Sequence, residues 1–119
     1  MGQQELARLG HNAAGRARWL AFIGEMREQQ RDFPGALGFF DQAIKVMRSK
    51  DLVVPLADLL MRQGWCQAGA GLWAEARAGF AEALSIRKRI RDPLGEAEAL
   101  EFLGLLSEAY GNYESAVYF

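Results

Sequence analysis

Apolar residues recur along this chain at helical spacing, and the pattern itself returns every forty residues. Leu20, Leu60 and Leu100 stand forty apart, as do Gly24, Gly64 and Gly104, and Ala17, Ala57 and Ala97. A second set keeps the same step: Phe33, Trp73 and Tyr113, then Ala36, Ala76 and Ala116. Phe40 pairs with Phe80, Ala43 with Ala83, and Ile44 with Leu84. Self-similarity at a period of about 20 to 50 residues is the mark of stacked supersecondary units.

Each period predicts two helices. Leu56, Leu59, Leu60 and Gly64 recur at helical spacing within a first helix over about 53–69. Gly71 is placed to end it in the left-handed conformation, and Gly111 to do the same forty residues later. Arg31 occupies that place in the first copy, which predicts a less regular turn there. Asp32 and Asn112 suit the N-cap of the following helix, whereas Leu72 does not. Ala76, Phe80, Ala83 and Leu84 then form an i, i+4, i+7, i+8 stripe on the second helix. Lys50-Asp51 and Arg91-Asp92-Pro93 mark turns between copies, with Asp92 as cap and Pro93 in the first helical turn. The expectation is a single all-α domain over 1–119, made of repeats at 12–51 and 52–91 and an incomplete third at 92–119.

A glycine inside a helix costs about 1 kcal/mol relative to alanine. Its return at 24, 64 and 104 therefore calls for a packing reason. Close approach of two helices, with Phe40 or Phe80 filling the space between flanking alanines, supplies one.

These residues resemble the tetratricopeptide repeat. Leu20-Ala21-Phe22-Ile23-Gly24 with Phe33, Ala36, Phe40 and Ala43 carries the likeness, as does Leu100-Glu101-Phe102-Leu103-Gly104 with Tyr113 and Ala116. The forty-residue step is similar to the longer variant of that repeat, and Arg91 to Ala97 looks like its linker. The likeness covers about residues 12–119, with Arg27, Gln67 and Ser107 standing where the family has tyrosine. It implies a right-handed α-solenoid of antiparallel hairpins, a superhelix that serves as a protein-binding scaffold in a regulator or adaptor.

By the same resemblance, the first helix of each hairpin lines a concave groove. The matching positions are Arg18, Ala21, Glu25 and Glu28; Asp58, Met61, Trp65 and Ala68; and Glu98, Glu101, Leu105 and Glu108, with Arg62 nearby. Six carboxylates against Arg18 would make this face acidic, suited to a basic or amphipathic peptide. Met61 and Trp65 would be its apolar anchor, the other reading of Trp65 being a ring tucked against a neighbouring helix. The cationic clamp that the family uses for C-terminal carboxylates is missing, since Ala21, Glu25 and Glu98 stand in its place.

The ends of the chain carry expectations too. Glu5, Leu6 and Leu9 align with the tail of a preceding helix, and Phe102, Leu103, Val117 and Phe119 would be poorly covered. That pattern suggests a piece of a longer repeat protein, or an end covered by another chain. The alternative function follows from it: a self-assembling protein that oligomerises through exposed hairpin ends.

Composition adjusts this picture little. Half of the 119 residues are apolar, which supports a core. Fourteen basic and fifteen acidic residues leave a formal net charge of −1, which argues against a bulk grip on nucleic acid or anionic lipid. The basic run Arg87-Lys88-Arg89 and the residues Lys45, Arg48 and Lys50 fit the last turns of helices, where they favour the dipole. One cysteine, Cys66, excludes an internal disulfide and fits a reducing, cytoplasmic setting. Cys66 and the one histidine, His11, lie in no catalytic motif, and Gly64 to Gly71 lacks the signature of a phosphate loop. No apolar run approaches the roughly 20 residues of a membrane span. No enzyme activity, cofactor or metal is expected, and the expected partner is a protein or peptide, with neither nucleic acid nor membrane.

Overall fold

A computed structural model of the protein describes residues 12–118, with side chains to residue 114. It is all-helical, with no strand among the described residues. The helices are α1 (Ala13–Gln29), α2 (Phe33–Ser49), α3 (Val53–Gly69), α4 (Trp73–Arg89) and α5 (Pro93–Tyr118). The chain divides into two compact units, 1–59 and 60–119, with the boundary inside α3. No described helix is long and apolar enough to cross a membrane.

The first four helices each have 17 residues and begin twenty residues apart. One turn repeated four times sets that spacing. Arg31, Asp51, Gly71 and Arg91 all have positive φ, between 55° and 80°. The following amide donates to a carbonyl five residues back: Asp32 to Arg27, Leu52 to Met47, Leu72 to Gln67 and Asp92 to Arg87, at 2.8–2.9 Å. A second bond joins each positive-φ residue to the carbonyl three before it, at 2.9–3.2 Å. This is the Schellman motif, which satisfies two of the carbonyls a helix end leaves open. Arg31 thus makes the same turn as Gly71, contrary to the expectation of a less regular one. Two added hydrogen bonds and the packing of the hairpin offset the cost of about 1–2 kcal/mol for a side chain in the left-handed region.

Three helix starts share a further device. Asn12, Asp32 and Asp92 each accept a hydrogen bond from the amide three residues on, at 2.9–3.1 Å. That third residue is Gly15, Gly35 or Gly95. At Gly35 and Gly95 a Cβ would collide with the capping carboxylate. Gly95 also leaves room for Arg87, whose guanidinium lies 3.2 Å from Asp92. Leu72, as expected, caps α4 with no side-chain hydrogen bond.

Within the first unit, α2 turns Ala36, Phe40, Ala43, Ile44 and Met47 inward, at helical spacing. Phe40 is wholly buried and lies against Gly24 of α1, where a Cβ would stand 2.5 Å from its Cε1. The second unit repeats the contact: a Cβ on Gly64 of α3 would meet Phe80 Cε1 at 2.5 Å. Burying each phenylalanine contributes about 1.5–3 kcal/mol. The glycines at 24 and 64 therefore have the packing reason that the sequence called for.

The third copy departs from the pattern. Gly111 and Asn112 do not form the expected cap and turn; α5 runs through both as one helix of 26 residues. Gly104 accordingly meets nothing within 4 Å. No second helix folds back upon it among the described residues, so the motif's partner contact is missing. Leu6, His11, Val117 and Phe119, with the expectations attached to them, lie outside the described side chains.

Candidate binding pocket in the second unit

The second unit builds an aromatic pocket between the α3–α4 hairpin and α5. Phe102 of α5 reaches the core, edge-on to Phe80 with ring centroids 5.6 Å apart. Its other side meets the Trp65 indole of α3 at 5.5 Å. Ring pairs of this separation add about 0.5–1.5 kcal/mol beyond their burial. Trp73 at the start of α4 closes the far side, 5.9 Å from both Tyr110 and Tyr113. Leu105, Leu106 and Ala109 of α5 complete a wall that is nearly all apolar, around a volume of about 410 Å³. That volume falls within the range of small-ligand and side-chain pockets, roughly 300–1,000 Å³.

Two features keep the pocket from being ordinary core. Trp65 remains 55 % exposed although its ring packs at a tilt against Phe102, and Leu105 is exposed as well. Ala68 and Gly69, at the end of α3, leave the rim low on that side. A large ring held on one face and bare on the other is pre-organised to take an apolar group at little entropic cost. Trp65 is tucked against a neighbouring helix, with more than half of its surface presented to solvent.

The positions expected to line a groove do not share one fate. Glu98, Glu101 and Glu108 are exposed on α5, with no Lys or Arg on the same helix. Arg62 is exposed on α3. Met61, expected as an anchor beside Trp65, is buried and belongs to the core. Its neighbours Leu59, Leu60 and Gln63 are buried too, so the inward face of α3 is wider than the repeat pattern implied. In the first unit Arg18 and Asp58 are exposed, whereas Glu25 and Glu28 are half-buried. One carboxylate oxygen of Glu28 is buried without a hydrogen-bond partner. Arg18 borders a shallow apolar surface formed by Trp19 and Phe22, stacked at 5.8 Å.

Sequence reasoning missed Phe102, Trp73, Leu106 and Ala109 as pocket walls. The signal was present: 102, 105, 106 and 109 keep i, i+3, i+4, i+7 spacing on α5. Of these, Phe102 was expected at a poorly covered end, because the third hairpin is incomplete, and Leu105 in the groove. Cys66 is buried, and the described residues hold no cluster of three His, Cys, Asp or Glu side chains suited to a metal ion. A scan against protein-family models and a search of curated proteins find no match for this chain.

Proposed function

We propose that this chain is a non-enzymatic binding module built of tetratricopeptide-like hairpins, and that it holds a basic or amphipathic peptide at the Trp65 pocket. The observation that carries the reading is the half-bare Trp65, tilted against Phe102 at an apolar volume of about 410 Å³. Glu98, Glu101 and Glu108 supply negative charge along α5, the helix that walls that volume. An apolar side chain of the peptide fills the pocket, and its Lys or Arg residues meet the carboxylates farther along α5. A scaffold role within a cytoplasmic regulator or adaptor, on a right-handed superhelix, accords with the forty-residue repeat.

Selection of displayed random peptides on the full chain tests this. The expected winners combine a Leu, Met or aromatic anchor with neighbouring Lys or Arg. Trp65→Ala should weaken their binding at least tenfold while lowering stability by less than about 1.5 kcal/mol, since the ring is more than half exposed. Selected peptides that bind Trp65→Ala unchanged would end the proposal.

A further inference from the structure

The same repeat positions are covered twice and bare once. Ala17 and Ala57 are fully buried, and Gly24 and Gly64 are buried, but Ala97 and Gly104 are exposed. Leu60 is buried, whereas its counterpart Leu100 is 52 % exposed. Leu94, one turn before Ala97, is 84 % exposed. Leu94, Ala97, Leu100 and Gly104 recur at three- and four-residue steps, so they make one strip along α5. This strip lies on a different side of the helix from Phe102 and Leu106, which face the pocket.

The molecule itself shows what such a strip accepts. Against Gly24 it places Phe40, with Ala36 four residues before and Ala43 three after; against Gly64 it places Phe80, with Ala76 and Ala83. A Cβ on either glycine would overlap the ring. Gly104 offers the same absence of a side chain, with nothing in front of it.

Charge selects among the occupants. Helix α5 carries Glu96, Glu98, Glu101, Glu108 and Glu114 and no Lys or Arg. Two copies meeting through α5 would set five carboxylates against five, which repel. Helix α2 ends differently: Lys45, Arg48 and then Lys50 follow Phe40. A helix of that kind, antiparallel to α5 with its phenylalanine on Gly104, would bring these cations alongside Glu96 and Glu101, which flank the strip.

We propose that the Leu94–Gly104 strip of α5 docks an amphipathic helix of a partner protein. That helix carries a phenylalanine with alanine-sized residues four before and three after, and Lys or Arg in the two turns that follow. The site is separate from the Trp65 pocket.

The probe is a synthetic peptide with the sequence of residues 33–50, titrated into the full chain and read by fluorescence anisotropy. Saturable binding is expected, weakened at least tenfold when the peptide's phenylalanine at position 40 is alanine. Gly104→Leu in the chain should weaken it equally, and Glu101→Lys by threefold or more. Circular dichroism must show Gly104→Leu as helical as the parent, and Gly104→Ala provides a milder second variant. Trp65→Ala should leave this binding within twofold, which separates the strip from the proposed peptide pocket. No saturable binding, or binding indifferent to Gly104→Leu, overturns the proposal. A self-associated chain, made monomeric by Gly104→Leu, overturns it in favour of a second copy.

Discussion

Gly64 and Gly104 sit in the same motif, forty residues apart, yet their surroundings are opposite. Gly64 is buried beneath Phe80, and Gly104 faces open space. The local turn signals would have suggested the reverse. Gly111 and Asn112 are better C-cap and N-cap residues than Arg31 or Leu72, but the chain turns at Arg31 and Leu72 and runs on through Gly111. At Arg31 and Gly71 the returning helix brings a buried phenylalanine onto a glycine, and past Gly111 no such contact forms among the described residues. Where no such contact awaits, continuing the helix adds one hydrogen bond per residue and is favoured.

The largest test of this contrast removes the ring. Phe80→Ala should cost about 3–5 kcal/mol, because a fully buried phenylalanine leaves a cavity among closely packed helices. Leu100→Ala should cost under about 1 kcal/mol, since that side chain is half exposed on the bare strip. Urea unfolding followed by circular dichroism measures both. Similar losses at the two positions would mean that Leu100 has a covering partner and that the contrast is false.

Much of this fold was legible in the sequence, and the reason is physical. The glycine and phenylalanine at fixed separation specify a helix crossing, and four of the five helices follow from that together with apolar spacing. The turns were only half legible. Left-handed backbone at Arg31, Asp51 and Arg91 carries no residue signature, because two Schellman hydrogen bonds hold it whatever the side chain. The twenty-residue half-period was visible in Asn12, Asp32 and Asp92, each followed three places on by glycine. Of the positions expected to line a groove, Trp65, Ala68 and Leu105 stand at the pocket. Met61 was misplaced because a helix packed along a broad face buries more than the repeat's own stripe. Phe102, expected at a poorly covered end, instead packs on Trp65 and Phe80, a contact between helices that no local motif records.

The sign of a single methyl group offers a narrower test. Gly64→Ala should destabilise by about 1–3 kcal/mol, as the new Cβ would lie 2.5 Å from Phe80 Cε1 and 3.1 Å from Cζ. Gly104→Ala should stabilise by up to about 1 kcal/mol, because the helix gains an alanine and nothing is displaced. Opposite shifts in the urea midpoint are expected at equivalent repeat positions. A gain at both would show that Phe80 moves aside easily, and the glycine would then be dispensable to the crossing.

The smallest effect concerns the turn that lacks a cap. Leu72 precedes α4 with no side-chain hydrogen bond, and Glu75 stands at the third helical position. Leu72→Ser would create the pairing in which the hydroxyl accepts from the Glu75 amide while the Glu75 carboxylate returns to the amide of residue 72. That amide already donates to the Gln67 carbonyl, so the reciprocal bond is partly pre-empted. Only the hydroxyl's share remains, a gain of about 0.5–1 kcal/mol. The lost contact is slight, because Leu72 is 40 % exposed and lies opposite polar Gln67 rather than the methionine found at the preceding turn. A rise in thermal midpoint of a few degrees is expected for a unit of this size. No rise, or a fall, would show that Leu72 contributes more to the start of α4 by covering apolar surface than a cap can, and would rank packing above capping even at the weakest turn.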